Sequence, residues 1–225
     1  MAVGTHCAMP PDEPSAEFSD IEHALKRSAA ALRAAGIPFL LGGSLASWAR
    51  GGPESRHDLD LMIRPGDAEA ALAALEEDGM RPERPPEDWL VKAWDGDALV
   101  DLIFAPKGME IDDDVIARGQ ELSVLGMDIR VMTLEDVLVT KLMAINEHAL
   151  RFESPLRMAR ALREQVDWAD VRARTESSPF ARAFFVLLEG LDIVPAGGAG
   201  GRRSGRGTHI RVVTPQSGST SAGPG

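Results

Sequence analysis

Two short stretches constrain this chain more than any others. Phe39-Leu40-Leu41-Gly42-Gly43-Ser44-Leu45-Ala46 reads as a buried strand, a glycine turn and the start of a helix. Thirteen residues separate Ser44 from Asp58-Leu59-Asp60-Leu61-Met62-Ile63, whose period-two alternation reads as a strand. Adjacent glycines let backbone N–H groups approach a ligand closely, and a helix start behind them favours anions. Leu59, Leu61 and Ile63 fall on one face of the second strand, and Asp58 and Asp60 on the other. Their carboxylates, about 7 Å apart along the strand, repel unless something positive lies beside them. A divalent cation held through oxygen ligands is the usual answer.

The flanking sequence supplies the rest of a fold. Ser19-Asp20-Ile21-Glu22 has the form of a capping box, followed by Ile21, Leu25, Ala29 and Leu32 at helical spacing. Gly36 closes that helix, Leu45 to Arg50 forms a second, and Ala68 to Asp78 a third. Arg81 to Asp88 is a polar, proline-rich connector. Trp89 to Trp94 and Ala98 to Phe104 flank Asp95-Gly96, a strong hairpin signal. Leu122 to Val131 carries a further strand pair turning at Gly126. Thr133 caps a helix running to about His148, and Ser154-Pro155, Asp167 and Ser178-Pro179 begin three more. The last carries an apolar stripe of Phe180, Phe184, Leu187 and Leu188. The pattern predicts a mixed sheet flanked by helices, with a disordered leader over 1–17 and a flexible tail over 196–225. Trp89 and Trp94 read as core or interface residues, and Met127, Met132 and Met143 as core fillers.

Asp101 interrupts an apolar strand on the same face as Leu99 and Ile103. A carboxylate buried there alone would cost several kcal/mol. It is therefore salt-bridged to a nearby arginine, on a sheet edge, or a metal ligand beside Asp58 and Asp60.

The Gly-Gly-Ser turn, the short helix and the Asp-x-Asp strand resemble the signature of the polymerase-beta-like nucleotidyltransferase superfamily. The small bacterial members are nearest: minimal nucleotidyltransferases, antibiotic nucleotidyltransferases and the toxins of type IV toxin–antitoxin systems. The resemblance covers Phe39 to about Phe104, and more loosely the helices after Thr133. It implies an α/β fold of the α+β type, with a catalytic domain over 18–132 and a helical bundle over 133–195. It also implies Mg²⁺-dependent transfer of a nucleoside monophosphate from a triphosphate such as ATP to an acceptor hydroxyl, releasing pyrophosphate. In that scheme Asp58, Asp60 and Asp101 hold two Mg²⁺ ions, and Asp101 is the general base. Gly42, Gly43 and Ser44 hold the β- and γ-phosphates, and Lys141 contacts the triphosphate. The acceptor is an aminoglycoside-like molecule, a protein side chain or a tRNA end, and an antitoxin is a further partner.

The sequence departs from the toxin pattern at two places. Ser55-Arg56-His57 stands where those relatives carry Arg-x-Thr. Gln165 and Val166 stand where a basic residue is expected between Arg163 and Asp167. Asp170 then reads as part of a capped, ion-paired helix start. Arg56 and His57 either meet phosphate or belong to a solvated loop.

Charge narrows the acceptor. The tail from 196 on holds four arginines and no acid, which leaves −15 on residues 1–195 within a net charge of −11. So acidic a body repels nucleic acid and favours a small cationic or protein acceptor. Cys7 is alone, so neither a disulfide framework nor a thiolate metal site is available. No apolar run is long enough for a bilayer and the start does not read as a signal peptide, which predicts a cytoplasmic protein without a membrane partner. A non-catalytic module of the same fold that binds a protein partner is the rival reading. A sugar-nucleotide transferase would need more chain before its Asp-x-Asp than the 57 residues present here.

Overall fold

The computed structural model describes residues 16–53 and 59–195. Helix α1 (Ala16–Ala34) precedes β1 (Phe39–Leu41), α2 (Gly43–Trp48) and β2 (Leu59–Ile63). Next come α3 (Ala68–Glu77), β3 (Arg81–Glu83), β4 (Leu90–Asp95) and β5 (Ala98–Ile103). Then follow α4 (Asp113–Arg118), β6 (Gln120–Val124), β7 (Met127–Val131) and α5 (Leu134–Ala144). The described chain closes with α6 (Glu153–Leu162), α7 (Trp168–Thr175) and α8 (Pro179–Gly190).

The seven strands form one mixed sheet in the order β3-β4-β5-β2-β1-β7-β6. Two hairpins supply its flanks. In the first, Asp95 pairs with Ala98 across Gly96-Asp97. In the second, Val124 pairs with Met127 across Leu125 and Gly126, which take φ of 52° and 75°, the left-handed twist that two-residue hairpins require. The centre is joined by non-local pairings, with β2 parallel to β5 and β1 parallel to β7.

Alternation divides the central strands. Leu59, Leu61, Val100 and Leu102 are fully buried, on the side packed by α1 and α3. Asp60, Asp101 and Lys92 are half-buried and occupy the other side. There α5 crosses the sheet, and α2 packs on β2 and α5. The helices beyond α5 bury Phe184 and Phe185, and Phe152 lies nearly parallel to Phe184 at 5.8 Å.

Several elements differ from the sequence expectation for physical reasons. Helix α1 begins at Ala16, inside the stretch read as a leader, and the Phe18 ring meets Trp48 edge-on at 5.4 Å. The connector at Arg81 forms strand β3, whose Pro82 is tolerated because β3 is an edge. Helix α4 was not foreseen; the Asp112 carboxylate caps it by accepting from the Val115 N–H at 2.8 Å. Helix α5 stops at Ala144, four residues short of His148. The Asn146 side chain accepts the His148 N–H at 3.0 Å and donates to the Ala144 carbonyl at 3.3 Å, bonds that compete with helical ones. On α8 it is Phe185, not Leu187, that is buried with Phe184 and Leu188; Leu187 is exposed.

Candidate active site

The β2–β5 register decides what the acidic residues can do. Asp60 pairs with Asp101 across the parallel ladder, so both side chains leave the same face of adjacent strands. The hairpin register then places Lys92 opposite Asp101 on the other flank. Lys92 Nζ lies 3.1 Å from Asp101 Oδ1, with the carboxylate side chain only 14% exposed. The salt-bridge reading of Asp101 is therefore realised, with a lysine as partner. That lysine does not remove Asp101 from the neighbourhood of Asp60. Asp58, Arg56 and His57 lie outside the described residues, as do Cys7 and the arginine-rich tail.

The glycine turn closes over Asp60. The Gly42 N–H donates to the Asp60 carbonyl at 2.8 Å, so that group is committed within the fold instead of offered to an anion. A Cβ on Gly42 would also come within 2.6 Å of Met62 Cε. At Gly43, φ is +56°, and a Cβ there would overlap Asp60 Oδ2 outright. Only glycine fits both the backbone angle and the space. Gly43 and Ser44 form the first turn of α2, where backbone N–H groups lack carbonyl partners within the helix.

Lys141 reaches this turn from α5, its Nζ standing 3.3 Å from Ser44 Oγ. A cavity of about 470 Å³ runs from this point between the sheet and the helix. Gly43, Asp60, Met62 and Lys141 line it, together with Ile103, Trp89, Pro106 and Lys107. Trp89, read as a core or interface residue, is 38% exposed and lines the cavity. Trp94 is half-buried, donates its indole N–H to Glu83 at 2.7 Å and stacks under Arg81.

A buried ion-pair cluster lies at the first turn of α5. Asp136, 1% exposed, accepts from Arg118 Nε at 2.8 Å and Nη2 at 3.0 Å, and from Arg174 Nη2 at 2.6 Å. Burial pushes its carboxyl up, but hydrogen bonds and charge from both arginines outweigh that and hold it below the ordinary range. Arg174 also meets Asp170 at 3.0 Å, and Asp167 caps α7 through the Ala169 and Asp170 N–H groups. Asp167 and Asp170 thus form the capped, ion-paired helix start that the sequence suggested. Arg163 pairs with its exposed neighbour Glu164.

The residue types beside Gly43 suit a hard divalent cation. Asp60 and Asp101 offer carboxylate oxygens from one face, and the absent side chain at Gly43 leaves the Asp60 carboxylate room. Among the described residues no three His, Cys, Asp or Glu side chains gather as a metal cluster. No helix among them is long and apolar enough to cross a membrane.

A family model described as an uncharacterised nucleotidyltransferase matches residues 20–191. The fold resembles the solution structure of the antibiotic-resistance factor ANT(2'')-Ia at a TM-score of 0.52 and 18% identity, covering 78% of this chain and 98% of that one. The crystal structure of ANT(2'')-Ia in complex with adenylyl-2''-tobramycin matches at 0.51 and 18% identity, covering 72% of this chain and 98% of that one. No curated protein matches the sequence.

Proposed function

The chain belongs to this nucleotidyltransferase family, and from that premise we propose that it moves a nucleoside monophosphate from a nucleoside triphosphate to an acceptor hydroxyl. One observation carries the reading. Asp60 and Asp101 stand in register on adjacent strands, directly beside a turn that admits only glycine.

Asp58, Asp60 and Asp101 would hold Mg²⁺, with two ions expected from the family resemblance. Bound there, Mg²⁺ would offset triphosphate charge and acidify the acceptor hydroxyl. In the proposed step the acceptor oxygen attacks the α-phosphorus and its proton passes to an Asp101 carboxylate oxygen. The bond from the α-phosphorus to its bridging oxygen breaks, and pyrophosphate leaves. The Lys141 ammonium and the Gly43 and Ser44 N–H groups receive the charge that builds on the departing phosphates. The Gly42 N–H, committed to the Asp60 carbonyl, takes no part.

A small cationic acceptor fits the acidic body best. The structural neighbour solved with adenylyl-2''-tobramycin points the same way. The test is incubation with each labelled triphosphate and Mg²⁺, with aminoglycosides, proteins or tRNA as acceptors. Pyrophosphate release with label transfer to a small molecule, abolished by EDTA, is the expected result. Label on tRNA or protein instead would move the acceptor class. No transfer with any acceptor, together with no triphosphate binding, would retire the enzymatic reading.

The rival is a partner-binding module in which the Lys92–Asp101 pair is permanent and keeps the site inactive. It predicts that removing Lys92 leaves the chain inert, and that a protein partner is retained whether or not triphosphate is present.

A further inference from the structure

The cavity beside Asp60 is lined by more than the reading above uses. Gly43, Asp60 and Lys141 supply groups suited to phosphate and its cation. The same cavity is lined by Ile103, Pro106 and the exposed indole of Trp89, with the charged Asp88 and Lys107 next to them in sequence. Large apolar side chains are costly to leave in water, and this one is held at a fixed place. The Trp89 carbonyl accepts the Phe104 and Ala105 N–H groups, both at 3.1 Å, which fastens the residue to the end of β5.

A triphosphate held by Lys141 and the Gly43 turn extends its base along the same cavity, which Trp89 also lines.

We propose that Trp89 is the stacking platform for the nucleobase of the donor triphosphate; this rests on the nucleotidyltransferase reading. The flat indole gives a large contact area to any base, and stacking of this kind tolerates sequence while favouring the larger purine rings. The platform therefore sets how tightly the nucleotide is held, and which ring size is preferred, without touching the reacting atoms.

The experiment compares binding of non-hydrolysable ATP and CTP analogues, and of inorganic tripolyphosphate, to the full chain with Mg²⁺ by calorimetry. Trp89→Leu, at an exposed position, should weaken both nucleotides by roughly tenfold, ATP more than CTP, and leave tripolyphosphate unchanged. Trp89→Phe should restore most of the affinity, and the quenching of tryptophan fluorescence expected when ATP binds the parent should be lost in it. Equal nucleotide affinity in the parent and Trp89→Leu overturns the stacking assignment and leaves the transferase reading standing. Loss of acceptor affinity in place of nucleotide affinity overturns it too, since the cavity would then be the acceptor's. Failure of the parent to bind either nucleotide or tripolyphosphate removes the transferase reading, and this inference falls with it.

Discussion

Asp136 and the Asp60–Asp101 pair are the same chemical groups in opposite surroundings. Asp136 is sealed between two arginines from α4 and α7, each supplying directed hydrogen bonds. Asp101 has one lysine at 3.1 Å, and Asp60 borders a cavity closed on one side by a glycine. A buried carboxylate saturated by guanidinium groups is a fastening, and it weakens badly when one partner goes. A carboxylate pair of like charge beside open space is ill suited to that task, because the two groups repel. The difference shows that burial of acid side chains does not by itself mark function; what surrounds the oxygens does.

Five substitutions sharpen or break this contrast. Asp60→Asn should lower transfer by roughly a thousandfold, about 4 kcal/mol of barrier, with an unchanged urea midpoint. Retained turnover would erase the functional half of the contrast. Asp136→Ala should do the reverse, costing about 3–5 kcal/mol of stability by leaving two buried guanidinium groups short of a partner. Turnover per folded molecule should stay near that of the parent.

The acid limb of the stability curve gives the sign of the same effect. The Asp136 carboxyl titrates below its ordinary value of 3.8 when folded. Its contribution is therefore complete above the unfolded pKa and fades as pH falls through the folded one. Urea titrations below about pH 4 should show this loss in the parent and a shallower one in Asp136→Asn. An identical slope in both would assign the acid limb to other groups.

Gly43→Ala comes next, combining a side chain that collides with Asp60 and a left-handed backbone angle. It should lower turnover by about a hundredfold, as displacement of a reacting geometry does, and cost about 1–2 kcal/mol of stability. The smallest effect is expected for Lys141→Met: a roughly tenfold higher KM for the triphosphate, worth one charged hydrogen bond, and no change in stability. A KM equal to the parent's would mean that the lysine serves only Ser44.

Much of this was legible before any coordinates, for reasons that differ from residue to residue. The Asp95-Gly96 hairpin fixes its own register, so Lys92 opposite Asp101 can be counted outward from the turn; the sequence reading stopped at the turn and missed the lysine. Thr133, Asp167 and Ser178 announced their helices because each side chain accepts a backbone N–H of the first turn. The Asp60–Asp101 pairing joins strands forty-one residues apart in sequence, and no local signal encodes such a parallel register. Here it was the family resemblance that suggested the two acids meet. Trp89 could not be placed from sequence, because an aromatic ring suits a core, an interface or a cavity wall alike. The commitment of the Gly42 N–H was invisible as well, since it depends on β1 meeting β2.

Helix α5 holds Asp136 in its first turn and Lys141 five residues on, about 7.5 Å further along one rigid rod. The fastening at one end is thus also the mounting of the cation at the other. One rigid element answers to two neighbours, α7 through Arg174 at its first turn and α2 through Ser44 near its last.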